Sequence, residues 1–238
     1  MAAPLPFPDM TFNPAARIDV RQIGTENSPL LVIDNVLSHP EQMVAHAAET
    51  CVFSGPPKGS YFPGLNARLP SAYGHALISA LRPLLRSVFA LPINRNIRYE
   101  GFFGLSTFPE GAPKPLQTIP HFDSCNPDRL AMVHYFCGTP FRGTAFYRHN
   151  NTGFEAITAG RSDRYRREVF AELKATPQAR FVDCDGPDYS WIDLVDARFN
   201  RLAVYRSTVL HSALLNDTPL TSDVRTGRLT ANSFIELV

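Results

Sequence analysis

The sequence predicts an α+β fold in which helices pack on one face of a β-sandwich or barrel, and three observations predict it. Helical periodicity dominates before Asn96. After Asn96 most segments are rich in β-branched and aromatic residues and are bounded by Gly, Pro, Asn and Asp, which is strand and turn chemistry. The 21 prolines are scattered rather than gathered in a linker, which suits a loop-rich domain. Helices first and strands after is the order of an α+β layout. With 238 residues, 44% apolar and 19% charged, the chain is long enough and apolar enough to bury a core as a single domain.

The elements follow in order. Residues 1–28 read as an N-terminal extension, 29–95 as a strand with supporting helices, and 96–238 as the β core. In PLLVIDNVLSHPEQMVAHAAETC, Leu30 to Ile33 form a short apolar strand. The helix after it is expected to start at Ser38 as N-cap, with Glu41 completing a capping box and Pro40 tolerated in the first turn. A second helix is expected from Ser71 to Phe89, because Leu77, Ile78, Leu81, Leu84, Leu85 and Val88 recur at spacings of three and four; Pro83 should kink or split it. The strand-like stretches are NIRYEGFFGLSTF, RLAMVHYFCG, GTAFYRH, RLAVYRSTVLHSALL and RLTANSFIELV. One helical insertion, at about 161–180, interrupts them. It is charged on one side, carries Tyr165, Val169, Phe170 and Leu173 on the other, and reads as a cover for the β core more readily than as a lid.

Charge and composition exclude several classes. A formal net charge of +1 leaves no basic footprint for nucleic acid or an anionic membrane. No apolar run approaches the ~20 residues of a membrane helix. The start MAAPLPFPDM lacks the basic and apolar regions of a secretory signal. A cytoplasmic protein is expected, with Cys51, Cys125, Cys137 and Cys184 as free thiols: they form no CxxC pair, and Cys125 reads as a small buried apolar residue.

The stretch IPHFDSC puts His121 and Asp123 two positions apart. On an extended chain both side chains point to one side, roughly 6.6 Å apart along the backbone. His211, at the end of an apolar strand, is the candidate third ligand. Two imidazoles and a carboxylate on one face of an octahedral ion leave positions open, the arrangement of non-haem Fe(II) oxygenases. A lone His-x-Asp pair also arises by chance. His46, His75 and His149 read as solvent-exposed or capping residues, and His134 as a satisfied core histidine.

In GRLTANSFIELV, alternation puts Arg228, Thr230, Asn232 and Phe234 on one face and Leu229, Ala231, Ser233, Ile235 and Leu237 on the other. In an open sheet the polar face is outside; in a barrel that holds a ligand it lines the cavity. Inward, Arg228 and Thr230 would make a carboxylate cradle. The pattern alone is compatible with both arrangements.

Taken in order, LLVIDNVLSHPEQ, IPHFDSC, RLAMVHYF, FRGTAFYRH, RLAVYRSTVLHSALL and GRLTANSF, spanning residues 29–238, resemble the prolyl-4-hydroxylase-like group of 2-oxoglutarate- and Fe(II)-dependent dioxygenases, and within it a bacterial family. The resemblance implies a double-stranded β-helix (jelly-roll, cupin-like) core with N-terminal helices packed on one sheet. It implies Fe(II) held by His121, Asp123 and His211, O₂ as oxidant, and 2-oxoglutarate chelating the metal with its distal carboxylate on Arg228 and Thr230. Tyr135, on the strand after the His-x-Asp pair, matches a tyrosine that binds the same carboxylate in some relatives. The implied reaction hydroxylates a C–H bond of a peptide, amino acid or small metabolite, releasing succinate and CO₂. Related halogenases lack the carboxylate, so Asp123 favours hydroxylation. One departure from the group is the longer His211-to-Arg228 spacing, which leaves Arg225 in the intervening hairpin as a rival for the carboxylate. The alternatives are a cupin-like metal-binding protein of another kind, a non-catalytic jelly roll that binds a small acidic ligand, and a structural or partner-binding jelly roll in which the triad is a coincidence.

Overall fold

The computed structural model describes residues 7–58, 60–92, 96–107, 114–176, 180–216, 218 and 220–237. The start of the expected extension, position 108 of the first core stretch, positions 177–179 of the insertion, positions 217 and 219 of the hairpin and position 238 lie outside the described residues.

β1 (Arg17–Ile23) and β2 (Ser28–Asp34) form an antiparallel hairpin. β1 falls within the stretch read as an extension. Only its last residue is buried, so RIDVRQI offers no continuous apolar face that a sequence pattern could reveal. β2 is the reverse: nearly every position is covered, and it reads as a continuous apolar run.

Helix α1 (Glu41–Thr50) begins later than expected, and the capping box at Ser38 does not form: the N-cap is Pro40, with no side-chain cap bond. The Ser38 N–H instead donates to the Thr11 carbonyl at 3.0 Å, while Phe12 and Leu37 form a bridge. Backbone pairing there holds Ser38 out of the helix. After β3 (Gly64–Arg68) comes α2 (Ser71–Phe89), which keeps its expected bounds and runs through Pro83 as one helix. Pro83 and Ser79 both stand on the exposed face, so the carbonyl that Pro83 cannot bond faces water. The apolar face buries Tyr73, Leu77, Ile78, Leu81, Leu85 and Phe89, and Ala90, at φ 50°, closes the helix through its N–H to the Arg86 carbonyl.

The remaining elements are β4 (Ile97–Ser106), α3 (Pro115–Thr118), β5 (Arg129–Tyr135), β6 (Thr144–His149), α4 (Ala159–Ala175), β7 (Tyr189–Val195), β8 (Arg201–Arg206), β9 (His211–Ala213) and β10 (Arg228–Leu237). They build two antiparallel sheets. The larger has the order β1-β2-β8-β5-β10-β4-β3 and the smaller β7-β6-β9. A bridge between His121 and His211 extends the smaller sheet past β9. From β4 onward the chain therefore crosses repeatedly between the sheets.

Three apolar layers follow. Leu31, Ile33, Leu130, Leu202, Val204, Leu229 and Ile235 turn one face of the large sheet toward α1 and α2. Leu30, Val32, Ala131, Tyr135, Ala203 and Tyr205 turn the other face toward Phe146 and Val195 of the small sheet. Tyr165 and Val169 of α4 cover the outside of the small sheet over Ala145, Tyr147 and Tyr189. Phe170, expected on that apolar face, is instead 57% exposed: Val169 already occupies the contact stripe, and the adjacent position points away. The four cysteines are free, Cys125 half-buried rather than buried. Among the described residues no helix is long and apolar enough to cross a membrane.

His134 is fully buried on β5. Its Nδ1 lies 2.8 Å from the Tyr73 hydroxyl and its Nε2 3.1 Å from Asn200 Oδ1. An amide oxygen only accepts, so Nε2 donates and Nδ1 accepts from Tyr73: the neutral ring is satisfied on both sides. Burial pushes its pKa down to about 4. The unfolded chain then binds more protons than the folded one between about pH 6.5 and 4, so stability is complete above that window and falls with pH through it, by on the order of 3 kcal/mol at its lower end. Denaturant unfolding at pH 7 and pH 4 should show this loss, and His134→Gln should reduce it. Equal losses in both chains would remove His134 as its cause.

Candidate metal centre

His121 and His211 meet through the backbone. The N–H of each donates to the carbonyl of the other at 2.9 Å, which brings the two rings to 4.4 Å between centroids. The Asp123 N–H donates to the Ser207 carbonyl at 2.8 Å, tying the segment after His121 to the turn that leads into β9. Asp123 Oδ2 then lies 3.5 Å from His211 Nε2, and Oδ1 3.8 Å from His121 Nε2. One ligand atom from each of the three residues falls within 4.8 Å of the others. Two strands of distant sequence thus converge on one point.

The donor set fits a divalent cation. His211 Nδ1 lies 2.9 Å from the Val209 carbonyl, which can only accept, so Nδ1 carries the hydrogen and Nε2 offers its lone pair toward Asp123. Burial pushes the His211 pKa down to about 4, which keeps the ring in the neutral, ligating form at neutral pH. His121 is lowered as well, by enclosing protein atoms first and by the His211 ring second. About half of the His121 side chain (53%) faces solvent, against 7% for His211, so His121 is the more accessible of the two imidazoles. Burial raises the Asp123 carboxyl, and no described donor bonds either of its side-chain oxygens. A largely enclosed carboxylate with no donor is what a cation would satisfy.

The three residues line a cavity of about 470 Å³ between the sheets. Arg228 lines the same cavity and is 3% exposed. Its guanidinium donates to the Arg142 carbonyl (3.2 Å), the Gly143 carbonyl (3.1 Å) and Ser106 Oγ (3.2 Å), and stands 5.8 Å from the Tyr135 ring centroid. No carboxylate among the described residues pairs with it. β10 therefore turns Arg228, Asn232 and Phe234 toward the cavity and Leu229, Ala231 and Ile235 toward the helices.

Thr230 and Tyr135 are buried close by but do not line the cavity. Thr230 Oγ1 donates to the Gly104 carbonyl at 3.2 Å and accepts from Asn232 Nδ2 at 3.0 Å; the Tyr135 hydroxyl and Thr144 Oγ1 are 2.6 Å apart. Ser106, Thr144, Asn232 and Tyr205 line the cavity instead, none of which the sequence reading named as a site residue. The signal for Asn232 was present, since it shares the alternating face of Arg228. Ser106, Thr144 and Tyr205 come from three other strands, and only pairing brings them together. Arg225 lies at the surface and pairs with Glu49.

Phe102 and Phe122 also line the cavity, whereas Phe103 and Tyr147 belong to the core and Trp191 packs under Arg142. No described residue of α4 lines it; the Tyr165 hydroxyl donates to the Pro120 carbonyl at 3.1 Å and so braces the residue before His121 from behind. His149, expected at the surface, is fully buried between Thr152 Oγ1 and Glu172 Oε2, both at 2.9 Å, because α4 folds over it. A more open hollow of about 520 Å³ near Cys137 and Phe199 contains none of the three metal-type ligands.

Fold and site together define a protein of two packed antiparallel sheets with a His/Asp/His cluster and a buried guanidinium in one cavity. The chain belongs to a family of unknown function, DUF6445, matched over residues 14–235. No curated protein matches its sequence at a significant level. Similar solved structures include EvdO2 from Micromonospora carbonacea var. aurantiaca complexed with 2-oxoglutarate, at 11% identity and TM-score 0.46, covering 92% of this chain and 94% of that one. HygX from Streptomyces hygroscopicus, with nickel, 2-oxoglutarate and hygromycin B bound, is 13% identical with TM-score 0.45, covering 89% and 84%. An N-substituted L-amino acid dioxygenase from Burkholderia ambifaria AMMD, in complex with alpha-KG, is 9% identical with TM-score 0.36, covering 88% and 82%.

Proposed function

We propose that this chain is a cytoplasmic Fe(II)- and 2-oxoglutarate-dependent dioxygenase of the prolyl-4-hydroxylase-like group, built on a double-stranded β-helix core. It would hydroxylate a C–H bond of a peptide, amino acid or small metabolite and release succinate and CO₂. The crossing of the chain between two facing antiparallel sheets supports the jelly-roll reading.

The observation that carries the functional reading is Arg228. Among the described residues this buried guanidinium bonds two carbonyls and a hydroxyl and meets no counter-charge, and burying an unpaired charge is costly. It shares its cavity with the Asp123 carboxylate, whose side chain is 18% exposed and accepts from no described donor. One cation and one dicarboxylate would resolve both deficits. His121, Asp123 and His211 would hold the metal, and Arg228 with Ser106 would seat the far carboxylate of the keto acid. Bound Fe(II) would supply the redox chemistry that couples oxidative decarboxylation of 2-oxoglutarate by O₂ to C–H oxidation. The chain's own work is to orient both ligands and, through the apolar surfaces of Phe102, Phe122 and Phe234, to keep water from the reacting centre.

Anaerobic addition of Fe(II) and 2-oxoglutarate should give a weak visible absorption band that neither gives alone, and air should then convert 2-oxoglutarate to succinate. Folded protein that shows neither overturns this reading.

A further inference from the structure

The chain has eight tyrosines, and seven are buried or half-buried. Six of those seven hydroxyls have a protein partner. Tyr73 meets His134 Nδ1 at 2.8 Å, Tyr99 meets Ser233 Oγ at 2.8 Å, and Tyr135 meets Thr144 Oγ1 at 2.6 Å. Tyr147 donates to the Val182 carbonyl at 2.7 Å, Tyr165 to the Pro120 carbonyl at 3.1 Å, and Tyr189 meets Tyr165 at 3.2 Å. Tyr205 is the exception: it is 1% exposed, yet its hydroxyl has no partner among the described residues.

Its ring is held firmly. It packs edge-on against His211, 4.7 Å between centroids, and against Phe146 at 5.0 Å. β8 alternation turns Tyr205 into the space between the sheets, and its β5 partner Ala131 is small and also lines the cavity. The same cavity is lined by Asp123 and His211 and by the Arg228, Ser106 and Thr144 cluster. The enclosed side-chain atoms that lack a partner among the described residues belong to Asn66, Thr107, Arg129, Trp191 and Ser207 and not to Tyr205, so its hydroxyl reaches the cavity space, where a bound group can meet it. A carboxylate ligand can be that group.

We propose that the Tyr205 hydroxyl is a binding donor to a carboxylate of the dicarboxylate ligand lodged between Arg228 and the His121/Asp123/His211 cluster. This rests on the reading of that cavity as a 2-oxoglutarate site and adds a ligand-touching residue that no motif in the sequence marks. Tyr205 would give the anion a neutral donor beside the metal-type ligands, in addition to the charged donor at Arg228, and so fix the orientation of the bound anion as well as its charge balance.

The test is Tyr205→Phe, which removes only the hydroxyl and keeps the ring against His211 and Phe146. Affinity for 2-oxoglutarate is read from the visible band of the anaerobic Fe(II)-loaded protein, affinity for Co(II) by titration of metal-free protein, and Tm by thermal unfolding. The expected result is a ten- to hundredfold weaker 2-oxoglutarate affinity, roughly what a lost hydrogen bond to a charged group gives, with Co(II) affinity and Tm unchanged. Unchanged 2-oxoglutarate affinity overturns the assignment while leaving the dioxygenase reading intact. Co(II) affinity falling in parallel overturns it too, because the hydroxyl would then be serving the metal cluster. A lowered Tm also overturns it, because the hydroxyl would have a partner within the protein. If the wild-type chain binds no 2-oxoglutarate at all, both the site reading and this assignment fall.

Discussion

Asp123→Asn is expected to weaken Co(II) or Fe(II) binding by at least about a hundredfold and, at the same time, to make the metal-free chain more stable. Mutating partners that merely support a ligand costs roughly 10–100-fold in metal affinity, so converting a ligating carboxylate to an amide should cost at least the upper end of that range. The stability gain has a separate cause. In the metal-free fold the Asp123 carboxylate is enclosed, raised in pKa by that enclosure, and accepts no hydrogen bond from a described donor. The neutral amide removes a poorly solvated charge at nearly constant shape. Relief of about 1–2 kcal/mol would raise Tm by roughly 2–8 °C for a chain of this size. Metal stoichiometry by elemental analysis and Tm with and without metal measure both effects. An Asp123→Asn chain that keeps its metal, or one that loses metal and stability together, would show that Asp123 is a structural group.

Arg228→Met should weaken 2-oxoglutarate binding about thirtyfold or more while leaving Co(II) affinity within a few-fold of wild type. Truncating one partner of a buried charge pair costs about 2–5 kcal/mol, most of it from the charge left behind. Here the stranded charge would be the ligand's carboxylate. The metal cluster shares only the cavity with Arg228 and no bond, so its affinity should move little. Replacing a guanidinium that meets no counter-ion among the described residues by an apolar side chain of similar length should be close to neutral for stability. Arg225→Ala, at the surface beside Glu49, is the control and should change neither affinity. Equal losses of metal and keto-acid affinity in Arg228→Met would show that Arg228 supports the fold around Arg142 and Gly143 instead of a ligand.

Much of the fold was legible wherever burial left a periodic pattern. α2 kept its expected ends because a long helix with one buried face writes that face into its sequence at spacings of three and four. The strands β5, β6, β8 and β10 were legible for the complementary reason: each sheet is covered on both faces there, the large one by α1 and α2 and the facing sheet, the small one by the facing sheet and α4, so they read as apolar runs or clean alternation. β1 and β7 were missed for a common cause. β1 is an edge strand held by backbone pairing with exposed side chains, and β7 is half-exposed along most of its length, so neither left a pattern. Ser38 misled because a capping signature is local, while the backbone bond to Thr11 that overrides it is not.

The sequence by itself determined which chemistry was available: a His-x-Asp pair that an extended backbone must present on one side, a distal histidine, and an arginine opening the last alternating strand. It could not say that His121 and His211 would pair across a sheet edge. Nor could it say which face of β10 looks inward, or that Tyr205 would line the same cavity. Those were decided by tertiary structure, because strand register and sheet stacking depend on contacts between residues far apart in the chain. A period-two pattern is the same whichever face is buried, and only the helices packed on Leu229, Ala231 and Ile235 make Arg228 the residue that faces the cavity.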